Sequence, residues 1–176
     1  ASVSKTNERL SEAPATVVVV DEEQIARRGY HSLIDLLADL PGFDITVGNG
    51  KMYLSQKAFE CLQDLLESHG EFLSVKYRNQ MGYLFNSLSI ADDKNALDEK
   101  LCIKNEWDEM EHIGFIEDRL GDMPIFRTEF ESYMGFFCLD SFKDRVEENQ
   151  LTGITFSIDV SNIFPPDPAA CSPVSH

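Results

Sequence analysis

The segment Thr16–Val20, TVVVV, constrains this chain most. Consecutive β-branched side chains are stiff at χ1 and suit a pleated backbone. A continuous apolar run without polar alternation reads as a strand buried on both faces. Its valines, Val17–Val20, are also the longest candidate for a membrane span, and they fall far short of the roughly 20 apolar residues that a spanning helix needs. With 43% hydrophobic residues and twelve Phe among 176 residues, the chain has material for a packed core.

The residues after this run give a coarse order of elements. Asp21 can N-cap a short helix with Gln24 at N3, Ile25 and Ala26 on its apolar side and Gly29 at its end. Leu33, Leu36, Leu37 and Leu40 share one face of a second helix, which Pro41-Gly42 stops. Phe43, Ile45 and Val47 alternate as a strand, and Gly48-Asn49-Gly50 turns the chain. Ser55 is placed to N-cap a helix carrying Phe59, Leu62 and Leu66 in a stripe, with Ala58 and Leu65 beside it and Gly70 as its C-terminal cap. Residues 71–77 and 82–90 read as strands joined by Arg78-Asn79-Gln80. Residues 125–127 and 135–139 read as short strands. Ser141 opens a helix with Phe142 and Val146 inward, and Gly153 leads into a strand over 154–160. Residues 92–122 carry much charge and little period. The tail from Pro165 holds four of the seven prolines and is expected not to fold.

Lys and Arg number 15 against 31 Asp and Glu, a formal net charge of -16. Such a field repels nucleic acid and anionic membrane and attracts basic partners, although it also serves solubility alone. Cys61, Cys102, Cys138 and Cys171 form no CxxC pair, and Cys61 and Cys138 sit in apolar runs as small buried hydrophobes. His31, His69, His112 and His176 are scattered, with no metal-ligand spacing. Asp92-Asp93 and the run Glu106 to Glu111 lack EF-hand spacing and read as solvated loops. Ser141 lies in no nucleophile motif and serves as a cap. The residues imply no catalytic constellation, no cofactor and no metal.

Trp107, the one tryptophan, lies in the acidic stretch EWDEMEH. Two readings stand. An aromatic ringed by carboxylates can anchor a basic partner, whereas the usual burial of large aromatics favours packing onto the sheet as core. On the first reading the contact surface is Glu106, Trp107, Asp108, Glu109 and Glu111.

Residues 7–47 resemble the opening of the plug domain of TonB-dependent outer-membrane receptors. The resemblance rests on the Glu-Ala-Pro-Ala lead-in, the valine run, the Asp-Glu-Glu-Gln-Ile helix with its Arg-Gly end, and Ser-Leu-x-Asp-Leu-Leu before Pro-Gly. The rest of that plug and any barrel are missing. Residues 52–158 resemble immunity proteins of bacterial polymorphic toxin systems through YLSQKAFECLQDLLESHGEFL, YLFNSLSIADDKNALDEK, IFR and FFCLDSFKDRVEENQLTGITF. That likeness implies a non-enzymatic α+β protein that binds a basic toxin domain.

The expected fold is therefore α+β, a mainly antiparallel sheet with two or three packed helices, preceded by a small β-α-α-β plug-like segment. The expected division is 1–50, a truncated plug-like segment, then 51–164, the immunity-like domain, then 165–176, a Pro-rich tail. The alternative is a receptor-plug fragment from siderophore or cobalamin uptake, or a passenger leader fused by recombination. An immunity protein is expected in the cytoplasm. An export signal before Ala1 would imply the periplasm or outer membrane instead.

Overall fold

The structure, a computed structural model, describes residues 16–20, 42–48, 50–77 and 80–161. The two helices expected within residues 21–41 and the tail from Pro165 lie outside the described residues, as does Cys171.

The fold is α+β with antiparallel sheets. One sheet holds β2 (Ile45–Gly48), β3 (Lys51–Ser55), β5 (Gln80–Ser87) and β4 (Gly70–Tyr77), in the order β2-β3-β5-β4. The other runs β10-β1-β9-β8, built from β1 (Thr16–Val20), β8 (Ile125–Phe126), β9 (Phe136–Cys138) and β10 (Ile154–Ser157). A separate hairpin pairs β6 (Ile103–Lys104) with β7 (Met110–His112). The described α-helices are α1 (Gln56–Leu66), α2 (Glu117–Leu120) and α3 (Asp140–Glu148). No described helix is long and apolar enough to cross a membrane.

The valine run is the strand its β-branching predicts, and it lies inside the sheet. Val18 pairs with Phe156 of β10 on one side and Phe136 of β9 on the other. The Phe43–Val47 alternation becomes β2, in a tight hairpin with β3 that matches Gly48 with Lys51. Each four-stranded sheet thus takes a strand from the first 50 residues.

Strand period 2 divides the side chains of β8 and β9 between two cores. Ile125, Phe136 and Cys138 face a core shared with Ile45, Met52 and Leu54 of the other sheet and with Leu62 and Phe142 of α1 and α3. Phe126 and Phe137 face the opposite way, onto Ala91, Ala96, Ile113, Leu120 and Met123. This second core organises residues 91–123, where sequence period gave no guide.

Several local expectations need correction. Ser55 does N-cap α1, its side chain accepting from Ala58 N at 3.1 Å. Gly70 does not cap that helix: Glu67 holds the C-cap position, and Gly70 is the first residue of β4. Ser141 does not cap α3. Leu139 occupies the N-cap position with no side-chain bond, and Ser141 lies exposed inside the first turn. Gln80 belongs to β5, opposite Tyr77, so the β4–β5 turn is tighter than three residues. The alternation from Ile154 stops at Ser157, whose hydroxyl accepts from Asp159 N at 3.1 Å and turns the chain.

Two side chains tie the layers together. Arg145 of α3 donates to Cys61 O and to Asp64 Oδ1 of α1, both at 2.8 Å, and the guanidinium holds the Asp64 carboxyl below its usual range. Arg127, just past β8, donates to Gly50 O at 3.1 Å, Ser87 O at 2.6 Å and Asn86 Oδ1 at 3.4 Å, joining one sheet to the other. Gly153 permits a close approach between the sheets. Its φ is +110°, and a Cβ there would lie 1.9 Å from Ile45 O.

Candidate binding surface

The β6–β7 hairpin projects from the second core. Its loop, Asn105 to Glu109, is held by one side chain. Asn105 Oδ1 accepts from Trp107 N at 2.8 Å and from Glu109 N at 3.0 Å. Asn105 Nδ2 donates to Glu109 Oε2 at 3.1 Å. The backbone adds Asn105 N to Glu109 O and Asp108 N to Asn105 O. Asp108 turns at φ 65°, a left-handed conformation that Asp tolerates better than most residues. An Asx side chain that satisfies two amides fixes a tip which no apolar packing holds.

This arrangement collects the five residues singled out by sequence. Glu106, Trp107, Asp108, Glu109 and Glu111 all lie exposed on the one hairpin. The expectation that Trp107 packs as core is overturned: the residue is 71% exposed. The aromatic places in the second core are filled instead by Phe115, Phe126 and Phe137, whose rings meet at centroid distances of 5.0 to 5.8 Å. Leu101 and Ile103, near the hairpin's base, are exposed as well. The arm therefore shows water an apolar stem and an aromatic tip inside a ring of carboxylates.

Lys104 anchors the arm. Its ammonium lies 3.3 Å from Asp108 Oδ1 and 5.1 Å from the ring centre of Phe130. Phe130 belongs to a tight turn at Glu129–Glu131, opened by Thr128, whose hydroxyl accepts from Phe130 N at 3.1 Å. Asp92 Oδ2 accepts from Glu129 N at 2.9 Å. The turn leaves through Ser132 and Tyr133, at φ 61° and 60°. Two successive non-glycine residues in that region mark a locally strained backbone.

Between the hairpin tip and this turn runs an open groove of about 440 Å³. Asp108 and Glu109 stand at its edge, Met110, Phe130 and Met134 supply apolar wall, and Glu131 is the buried residue of its lining. Glu131 is 7% exposed. Its Oε2 accepts from Met134 N at 3.1 Å and Gly135 N at 2.9 Å, while the buried Oε1 has no hydrogen-bond partner among the described residues. Burial pushes this carboxyl up to about 7, against the pull of the two amides and Arg127. The buried Arg127 Nε is likewise without a partner among the described residues.

Sequence reading did not find Glu131, Arg127 or Lys104. For Glu131 and Arg127 the one signal is local, isolated charges among aromatics in IFRTEFESYMGFF, and Lys104 has none. Sequence reading also did not pair the serines with histidines. His69 Nδ1 lies 3.3 Å from Ser89 Oγ, and His112 Nδ1 lies 3.4 Å from Ser161 Oγ. Among the described residues neither imidazole has a carboxylate contact to orient it, as a nucleophile–base pair requires. Among the described residues no three His, Cys, Asp or Glu side chains gather as a potential metal site. Cys61, Cys102 and Cys138 are free thiols, and burial pushes those of Cys102 and Cys138 upward, away from the reactive thiolate.

By simple physics the arrangement offers a preordered negative and aromatic surface to a positive one. Compared with protein-family models and with curated proteins, the chain matches none.

Proposed function

We propose that this protein is a non-enzymatic binding protein that neutralises a basic bacterial toxin domain by direct contact through the β6–β7 arm. The observation that carries the proposal is Trp107, 71% exposed at the end of a hairpin whose backbone is already fixed by Asn105. A large exposed aromatic on a flexible loop would lose side-chain and loop entropy on docking. Held in place beforehand, it keeps that cost small. Glu106 and Glu111 make no ion pair among the described residues, which leaves their charge for a partner. The net charge of -16 supplies long-range steering toward a basic protein.

The test is inhibition. Purified basic toxin domains of polymorphic systems are assayed for activity with the full chain and with Trp107→Ala. The full chain is expected to silence one such domain at a one-to-one ratio. Trp107→Ala is expected to weaken that inhibition by about 2–4 kcal/mol in affinity, the range of an interface hot spot. Inhibition that Trp107→Ala leaves intact would remove the arm from the account.

A further inference from the structure

β4 ends the β2-β3-β5-β4 sheet, and no described strand pairs with its other side. Exposed edge strands are commonly short, bulged, or broken by proline or lysine, because their unpaired backbone groups recruit other strands. The centre of β4 has none of these devices. The strand runs for eight residues, Gly70–Tyr77, in an unbroken register with β5, and Phe72 to Val75 carry neither charge nor proline. The bond from Leu88 N to His69 O fixes the phase of the ladder. Bonding alternates along an antiparallel pair, so residues 71, 73, 75 and 77 turn their backbone groups to β5, and residues 70, 72, 74 and 76 turn theirs to the open edge. Side-chain burial fails at the same place. Thr46, Tyr53, Leu84 and Leu73 form one cross-strand row. Thr46 and Tyr53 are 1% exposed, Leu84 is half-buried, and Leu73, at the edge, is 63% exposed.

Symmetry and charge say what covers this edge. The outward residues 70, 72, 74 and 76 are centred on Leu73. A two-fold axis at Leu73 sets 72 against 74 and 70 against 76 of a second copy, with about eight hydrogen bonds exchanged. Leu73 then meets its own copy in a non-hydrogen-bonded pair, where side chains lie closest, and the apolar row continues across the junction. An axis at Ser74 would leave Gly70 opposite no residue of β4. Residues 70–77 carry one acid and one base, Glu71 and Lys76, and residues 80–87 carry no charge, in a chain of net charge -16. A basic partner has no electrostatic reason to choose this edge over the acidic arm, whereas a second acidic copy meets little repulsion here. We propose that two copies of this chain associate through β4, antiparallel about Leu73, which joins their four-stranded sheets into one. A single strand pair is a small interface, so the dimer is weak and forms at high protein concentration. The contact uses no residue of the arm.

Sedimentation equilibrium of the full chain, from micromolar to millimolar protein at 50 and 500 mM salt, tests this dimer. A monomer–dimer equilibrium is expected, about tenfold tighter at 500 mM salt, because screening relieves the repulsion between two acidic copies. Ser74→Pro removes an outward N–H, and proline is tolerated on an edge strand. That variant is expected to melt as the native protein does and to stay monomeric. Leu73→Lys sets like charges face to face at the axis and is also expected to stay monomeric. Leu73→Cys is expected to give, under mild oxidation, an intermolecular disulfide mapped to position 73, since such directly opposed residues lie within disulfide reach. Glu71→Cys, off the axis, is expected to give none at position 71. A native chain that stays monomeric at millimolar protein in 500 mM salt overturns the dimer, as does a Leu73→Lys chain that dimerises like the native one. A link at position 71 and none at 73 overturns the pairing about Leu73. A native monomer whose capture of a toxin domain is lost in Leu73→Lys gives the edge to that partner and likewise overturns the dimer.

Discussion

Glu131, buried, and Arg127, half-buried, lie four residues apart and are the charges on which the second half of the chain turns. Arg127 satisfies acceptors on Gly50, Asn86 and Ser87, so losing it orphans groups along the β2-β3-β5-β4 sheet and cuts its tie to β8. Arg127→Met keeps the stem and removes those donors. It is expected to cost about 3 kcal/mol in chemical denaturation, the cost of leaving partners of a buried charged network unpaired. Glu131 acts in the opposite direction. A free glutamate titrates near 4.5, and this one titrates at about 7 because burial outweighs Arg127 and the amides, with Asp92 adding to the upward push. Between those values the folded protein still holds a proton that the unfolded chain has released. Stability therefore falls as pH rises from about 4.5 to about 7 and is level above. Glu131→Gln is expected to flatten that slope and to exceed the native protein at pH 8 by up to about 3 kcal/mol. Urea titrations at pH 4 to 8 check both features, and parallel curves for the two proteins would contradict the assignment.

Elements with period were legible in sequence, and elements without it were not. The stripe of Leu62 and Leu66, the alternation around Ile45 and the valine run each yielded the element found, because burial of a repeating face dictates backbone geometry. Residues 92–122 follow another logic. Their short elements are set by single side chains that bond the backbone, such as Asn105 in the hairpin and Asp92 across to Glu129 N. No pattern of hydrophobicity encodes such bonds. Caps show the same boundary: Ser55 reads correctly and Ser141 does not, because a serine near a helix start caps only if its own backbone is extended there. Of the candidate site, the five arm residues were legible as a charge-and-aromatic cluster, and Trp107's exposure and the burial of Glu131 were not. Two outcomes follow at this scale. Asn105→Ala removes the bonds that hold the tip, and it is expected to weaken partner binding about tenfold with Trp107 intact, chiefly by restoring loop entropy. Isothermal titration against the partner measures it. Removing residues 1–20 takes out β1, which alone bridges β9 and β10, through seven residue pairs. The loss is expected to be on the order of 5 kcal/mol and to abolish cooperative thermal unfolding. A truncated chain that melts as the full one does would show β1 to be dispensable.

At the scale of the whole molecule, the two four-stranded sheets, α1 and α3 form a body from which the arm stands out on its own small core. This separation lets the arm carry exposed Trp107, Leu101 and Ile103 at no expense to the main core. On the proposed function it divides recognition into a field and a grip. The field would be the net charge of -16, governing encounter and screened beyond about 10 Å at 0.1 M salt. The grip would be the aromatic tip, governing residence. Association and dissociation rates with a captured toxin domain, measured from 50 to 500 mM salt for the native protein, Trp107→Ala and the pair Glu106→Gln with Glu111→Gln, test this division directly. Salt and the glutamine pair are expected to slow association with little effect on dissociation, and Trp107→Ala is expected to speed dissociation at least thirtyfold. Association indifferent to salt, together with a Trp107→Ala complex that dissociates at the native rate, would contradict it.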